Sequence, residues 1–235
     1  MKFTKFQIKR IVSALIFLIF CFIYRFFIEG ISENTYFYQI TDYTINTSGY
    51  LNYFHTATFY TIIYLFLLGK QIHKLSNQTL IRRSRKNLYL KNNTIAIKSA
   101  FVYSLLFLVP HLVFMYKYFD FSKLIEINFN NIMLIQFISY FLYFFLIGNI
   151  MLLIYYFTIN NTLSQLLTIT ISILLMFAYR LLNIYSPIEF VLVSTKYYTY
   201  GLTIDNLIIS LLLFLPIIFV FLLSQIHVLK ERDVL

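Results

Sequence analysis

The chain has 235 residues, 60% of them hydrophobic and only 12% charged, whereas a soluble domain carries about a quarter charged residues. Its single cysteine, Cys21, excludes disulfides, thiolate metal clusters and redox pairs within the chain. The net charge is +10, and a richness in Ile, Asn, Lys, Phe and Tyr without Trp suggests the AT-rich genome of a low-GC Gram-positive bacterium.

A helix crossing the ~30 Å hydrocarbon layer needs about 20 mostly apolar residues. Six continuous apolar blocks fit this demand, at residues 8–28, 53–68, 95–116, 132–157, 163–184 and 207–226. They predict an all-α, polytopic membrane protein with a single transmembrane domain over 1–235. A β-barrel would instead show alternation in ten-residue stretches.

Ahead of the first block, Met1 to Arg10 interleaves Lys2, Lys5, Lys9 and Arg10 with Phe3, Phe6 and Ile8. This pattern reads equally as an amphipathic interfacial helix and as an ordinary positively charged start. The first block is too long for a signal-peptide core and ends at Arg25–Glu29 without a small-residue cleavage site, so it is expected to stay as an anchor. The second block is short and carries Thr and Tyr. After it comes a stretch with Lys70, Lys74, Arg82, Arg83, Arg85, Lys86, Lys91 and Lys98 and no acid. Ser76 is a candidate cap for a short helix there, with Leu75, Leu80, Ile81 and Leu88 apolar between the cations. The alternative is a plain topogenic determinant. Between the last two blocks, the run Phe190–Val193 after Ser186-Pro187 is too apolar for an exposed loop and predicts a segment dipping back into the outer leaflet.

Charge placement sets the orientation. The amino end, the 70–98 loop and the carboxyl end hold four, eight and two of the 19 basic residues. Seven of the nine acids lie on the other side or near its membrane ends. Basic flanks stay in the cytoplasm, so both termini and the loop are expected inside the cell membrane.

Polar residues at membrane depth are costly and often functional. The candidates are Arg25, His111, Gln136, Asn149, Arg180 and Asn183. Arg25 and Glu29 are spaced to pair, and Arg180 is placed to snorkel. His111 follows Pro110, which points to a kink, while Gln136 and Asn149 read as interhelical hydrogen-bonding groups. No phosphate-binding glycine loop, HExxH or nucleophile-elbow motif occurs. The chain is therefore expected not to be an enzyme, to bind no metal or cofactor itself, and to contact no nucleic acid.

Six spans, a basic start, a basic loop after the second span and a partly apolar segment before the sixth resemble ABC type-2 permeases. The run Leu80-Ile81-Arg82-Arg83-Ser84-Arg85-Lys86-Asn87-Leu88 is similar to the Arg-rich coupling loop of small permeases from lantibiotic-immunity and peptide-toxin exporters. The resemblance implies that this loop is a coupling helix docking on a separate ABC ATPase, which would carry the ATP and Mg. It also implies a second permease subunit, identical or related, and short re-entrant helices before the last span. A path wall rich in Tyr and Phe suits amphipathic peptide cargo of the bacteriocin type, although the same aromatics suit a lipid-facing role. A membrane immunity or sensor protein that binds a peptide without moving it is the alternative. A secondary transporter is disfavoured by the absence of a repeat and of an ionisable chain.

Overall fold

The structure, a computed structural model, describes residues 5–23, 25, 50–73, 85–182 and 186–231, with side chains from Ala14 onward. Leu80 to Ser84, Asn183, Glu29 and the first four residues lie outside these. Every element among the described residues is helical. In order they are α1 (Lys5–Ile23), α2 (Tyr53–Gly69), α3 (Arg85–Tyr118), α4 (Phe121–Glu126), α5 (Phe129–Thr158), α6 (Asn161–Leu182), a 3-10 turn (Pro187–Val191), α7 (Val193–Tyr198) and α8 (Ile204–Glu231). Among the described residues α3, α5, α6 and α8 are long and apolar enough to cross a membrane, and α1 (apolar over Ala14–Ile23) and α2 are apolar but shorter. The chain is an all-α membrane protein.

Local chemistry accounts for the breaks. In α8 the helix is interrupted at Leu213, three residues before Pro216, whose ring has no N–H to offer Leu212 and crowds its carbonyl. Pro110 produces no such interruption in α3. Between α5 and α6, Ile159 takes a left-handed conformation (φ 53°), and the Asn160 side chain accepts from Leu163 N at 3.1 Å to cap α6.

α2 contains a π turn over Thr56–Tyr60. The widened turn disturbs the regular ladder, and side chains satisfy the backbone carbonyls around it. Thr61 Oγ1 donates to Thr56 O at 2.7 Å, Ser172 Oγ to Ala57 O at 2.8 Å, and Tyr103 Oη to Tyr60 O at 2.9 Å. One donor, Thr61, is among the polar residues that weaken this block as an apolar run, and the other two come from α6 and α3, so the backbone is satisfied as a low-dielectric interior demands.

α5 is the centre of the bundle. Of its most apolar stretch 67% is buried within the chain, against 44% for α3 and 22% for each of α6 and α8. Much of the aromatic content is spent here. Phe144 packs against Tyr64, Tyr103 and Tyr143, and Phe107 against Tyr50, Tyr60 and Tyr140. Tyr50 and Tyr140 donate to the carbonyls of Phe107 and Leu51. Gly148 lets α2 approach α5, since a Cβ there would sit 2.6 Å from Tyr64 Oη. Tyr50, Tyr103 and Tyr140 bury their rings and carry their hydroxyls to backbone acceptors.

Candidate functional site

The helices α2, α5 and α8 end, and α3 and α6 begin, at one pole that carries Lys70, Arg85, Lys86, Lys91 and Lys230. We call it the basic pole. Here α3 extends beyond the expected span. At 34 residues and 1.5 Å per residue it is about 51 Å long, well over the hydrocarbon thickness. Arg85, Lys86, Asn87 and Leu88 form its first turn, in one helix with the residues that follow. Leu88 is buried, Lys86 and Asn87 are exposed, and Arg85 is intermediate.

Both roots of the basic 74–84 stretch are bonded to the bundle. At its start, His73 N donates to Asn92 Oδ1 (2.8 Å) and Asn92 Nδ2 donates to His73 O (3.3 Å). The same amide nitrogen reaches Tyr156 Oη of α5 at 3.2 Å. At its end, Arg85 Nη1 donates to the carbonyls of Leu229 (3.2 Å) and Lys230 (3.0 Å). This arginine satisfies two carbonyls at the carboxyl end of α8, where a cation is favoured.

One layer deeper, three amides join three helices. Asn93 Nδ2 of α3 donates to Gln225 Oε1 of α8 at 3.0 Å. Gln225 Nε2 donates to Asn149 of α5, at 2.8 Å to Oδ1 and 3.0 Å to its backbone oxygen. Asn149 also donates to Phe145 O. All three side chains are buried. On the other flank, Gln165 and Asn161 of α6 donate to Leu65 O and Gly69 O in the last turn of α2. A Cβ at Gly69 would overlap the Gln165 amide, so the glycine leaves room for that amide to reach α2.

At the far pole the 3-10 turn and α7 lie against α5. Gln136 Nε2 donates to Val191 O at 2.6 Å, and its Oε1 accepts from both the N–H and hydroxyl of Ser194 at 3.2 Å. Ser139 Oγ donates to Phe190 O. Ile188, Phe190, Val191 and Val193 are buried. Lys196 pairs with Glu189 at 2.8 Å, both side chains largely covered.

Of the remaining candidates, Arg25 and His111 lie within electrostatic reach of each other, and Arg180 is exposed at the end of α6. Arg25 is buried with its guanidinium 3.9 Å from the Phe114 ring centre, a cation–π stack; its expected partner Glu29 falls outside the described residues. His111 is buried beside Tyr50 and Phe129. Among the described residues no three His, Cys, Asp or Glu side chains come together as metal ligands.

Compared with known proteins, the chain matches no family model, no curated protein and no solved structure.

At the basic pole one stretch of chain is therefore bonded, directly or through one further side chain, to several helices. Asn92 and Arg85 tie that stretch to α3 and α8, and the Asn93–Gln225–Asn149 node carries the connection to α5. Asn92, Asn93, Gln165 and Gln225 are absent from the candidates read from sequence. Each lies near the margin of an apolar run, where an amide looks like the run's end.

Proposed function

We propose that this chain is the membrane permease subunit of an ATP-driven exporter, resembling ABC type-2 permeases. It crosses the cell membrane six times, with α1 and α2 completing the set, and keeps both termini and the basic pole in the cytoplasm. A separate ATPase binds ATP and Mg and docks on residues 80–88; a second permease subunit completes the pathway. The cargo is an amphipathic peptide. The 3-10 turn and α7 dip into the outer leaflet as re-entrant helices, their backbone carbonyls covered by Gln136 and Ser139 as such a segment requires.

The observation that carries this reading is the bonding of both roots of the basic stretch, to Asn92 at one side and to the end of α8 through Arg85 at the other. A docked motor needs such a handle, and complementary charge favours its seating. In the test, the chain is purified with candidate ATPases and Arg82 and Arg83 are changed to Glu. Loss of co-elution and of ATP-dependent peptide export from vesicles is expected. Unchanged assembly and export, or full activity with no nucleotide-hydrolysing companion, overturns the reading. Cysteines placed at Asn46 and Asn87 in a Cys21-free background test the orientation. Impermeant reagent on intact cells is expected to label position 46 alone.

A second reading, a membrane immunity or sensor protein that binds a peptide without moving it, draws on a different observation. Gln136, Ser139 and Asn149 on the central helix are all engaged in holding the fold. Peptide binding without ATP-dependent movement is its signature.

A further inference from the structure

Beside the handle at the basic pole lies a cavity of about 430 Å³, lined by Arg85, Lys86, Tyr89, Leu90, Ile226, Leu229 and Lys230. Its chemistry is divided. Three cations sit at the polar rim, and no acid lines it among the described residues. Glu231, next along the chain, reaches His227 at 3.2 Å instead. Lys86 and Lys230 are exposed, and neither ammonium has a partner among the described residues. Among the described residues Arg85 uses only Nη1, on the two α8 carbonyls, which leaves its Nε and Nη2 hydrogens to bond an anion. Below the cations the wall is Tyr89, Leu90, Ile226 and Leu229, on two helices that continue into the apolar layer.

We propose that this cavity binds one anionic phospholipid of the adjoining leaflet. The phosphate lies among Arg85, Lys86 and Lys230, and an acyl chain runs along Leu90 and Ile226 between α3 and α8. Basic pockets between membrane helices select anionic headgroups through such clusters, and a guanidinium with a preset fork suits a phosphate. The apolar floor distinguishes this occupant from a soluble phosphate, which gains nothing from leucine and isoleucine. It also argues against an acidic protein surface, which presents no chain to fill the space between the helices. The inference is independent of the exporter reading, although Arg85 and Lys86 serve both.

The test is native mass spectrometry of the full chain in detergent, titrated with dioleoylphosphatidylglycerol. One saturable adduct is expected, absent with dioleoylphosphatidylcholine and unaffected by equal glycerol 3-phosphate. Lys86→Glu with Lys230→Glu is expected to weaken it about tenfold or more, while Lys91→Glu, outside the cavity, leaves it unchanged. Lys86→Ala with Lys230→Ala gives a second reading if the charge reversals unfold the chain. The proposal fails if phosphatidylcholine binds equally, if glycerol 3-phosphate competes on a par with the lipid, or if Lys91→Glu weakens binding as much. It also fails if the double variants keep the lipid, and if they keep it while losing a soluble partner the surface is a protein-docking one.

Discussion

The two ends of α5 use the same residue types for different ends. At the basic pole Asn149 meets Gln225 and, through it, Asn93. There the amides join one regular helix to another, and each helix has already satisfied its own backbone. At the far pole Gln136 and Ser139 serve a segment that has not. The carbonyls of Val191 and Phe190 and the N–H of Ser194 are supplied from α5. The difference teaches that an amide in a membrane bundle has no fixed worth. Between complete helices it adds a modest attraction, averaging about 0.6 kcal/mol. Where it completes an irregular backbone, its loss strands a buried polar group at about 1–3 kcal/mol each.

Substitution along α5 puts numbers on that contrast, read as equilibrium unfolding in mixed micelles. Gln136→Leu removes three bonds at once and is expected to cost about 3 kcal/mol, with the 187–198 segment becoming the first site of proteolysis. At mid-helix, Gly148→Val drives a Cβ into Tyr64 and Leu68 and should cost about 2 kcal/mol by overpacking. This variant reports on packing alone and separates it from the polar effects at either end. Gln225→Leu should cost only about 1 kcal/mol; a loss equal to that of Gln136→Leu breaks the comparison. Glu189→Gln, which weakens the covered pair with Lys196, should cost about 0.5 kcal/mol, with little change in high salt because a covered pair is weakly screened.

Much of the helical framework was legible because hydrophobic length is a direct readout of bilayer thickness. The blocks at 95–116, 132–157, 163–184 and 207–226 fall on α3, α5, α6 and α8. The run Phe190–Val193 read as too apolar for an exposed loop, and its residues are buried. The first ten residues of α3 were not visible this way. Arg85, Lys86 and Lys91 count against an apolar run, yet a helix satisfies its own backbone in water as in lipid, and Arg, Lys and Leu are good helix formers. The π turn in α2 was equally hidden, since Ser172 and Tyr103, which cover its carbonyls, are remote in the chain. Gln136 and Asn149 read from the sequence as interhelical hydrogen-bonding groups, and their partners, Val191 and Ser194 for one and Gln225 for the other, depend on three-dimensional register. Of the basic run, Arg85 to Leu88 are placed on α3, and Arg85 acts on α8 through a bond that no local pattern encodes.

The junction of α5 and α6 constrains how the molecule is made. Only Ile159 and Asn160 separate the two helices, and Ile159, a β-branched residue, is held at a positive φ that its side chain disfavours. No charged residue stands in this turn to hold it on one side during synthesis. A link of two residues leaves the two apolar rods no choice but to run antiparallel side by side, so whatever fixes the direction of one fixes the direction of the other.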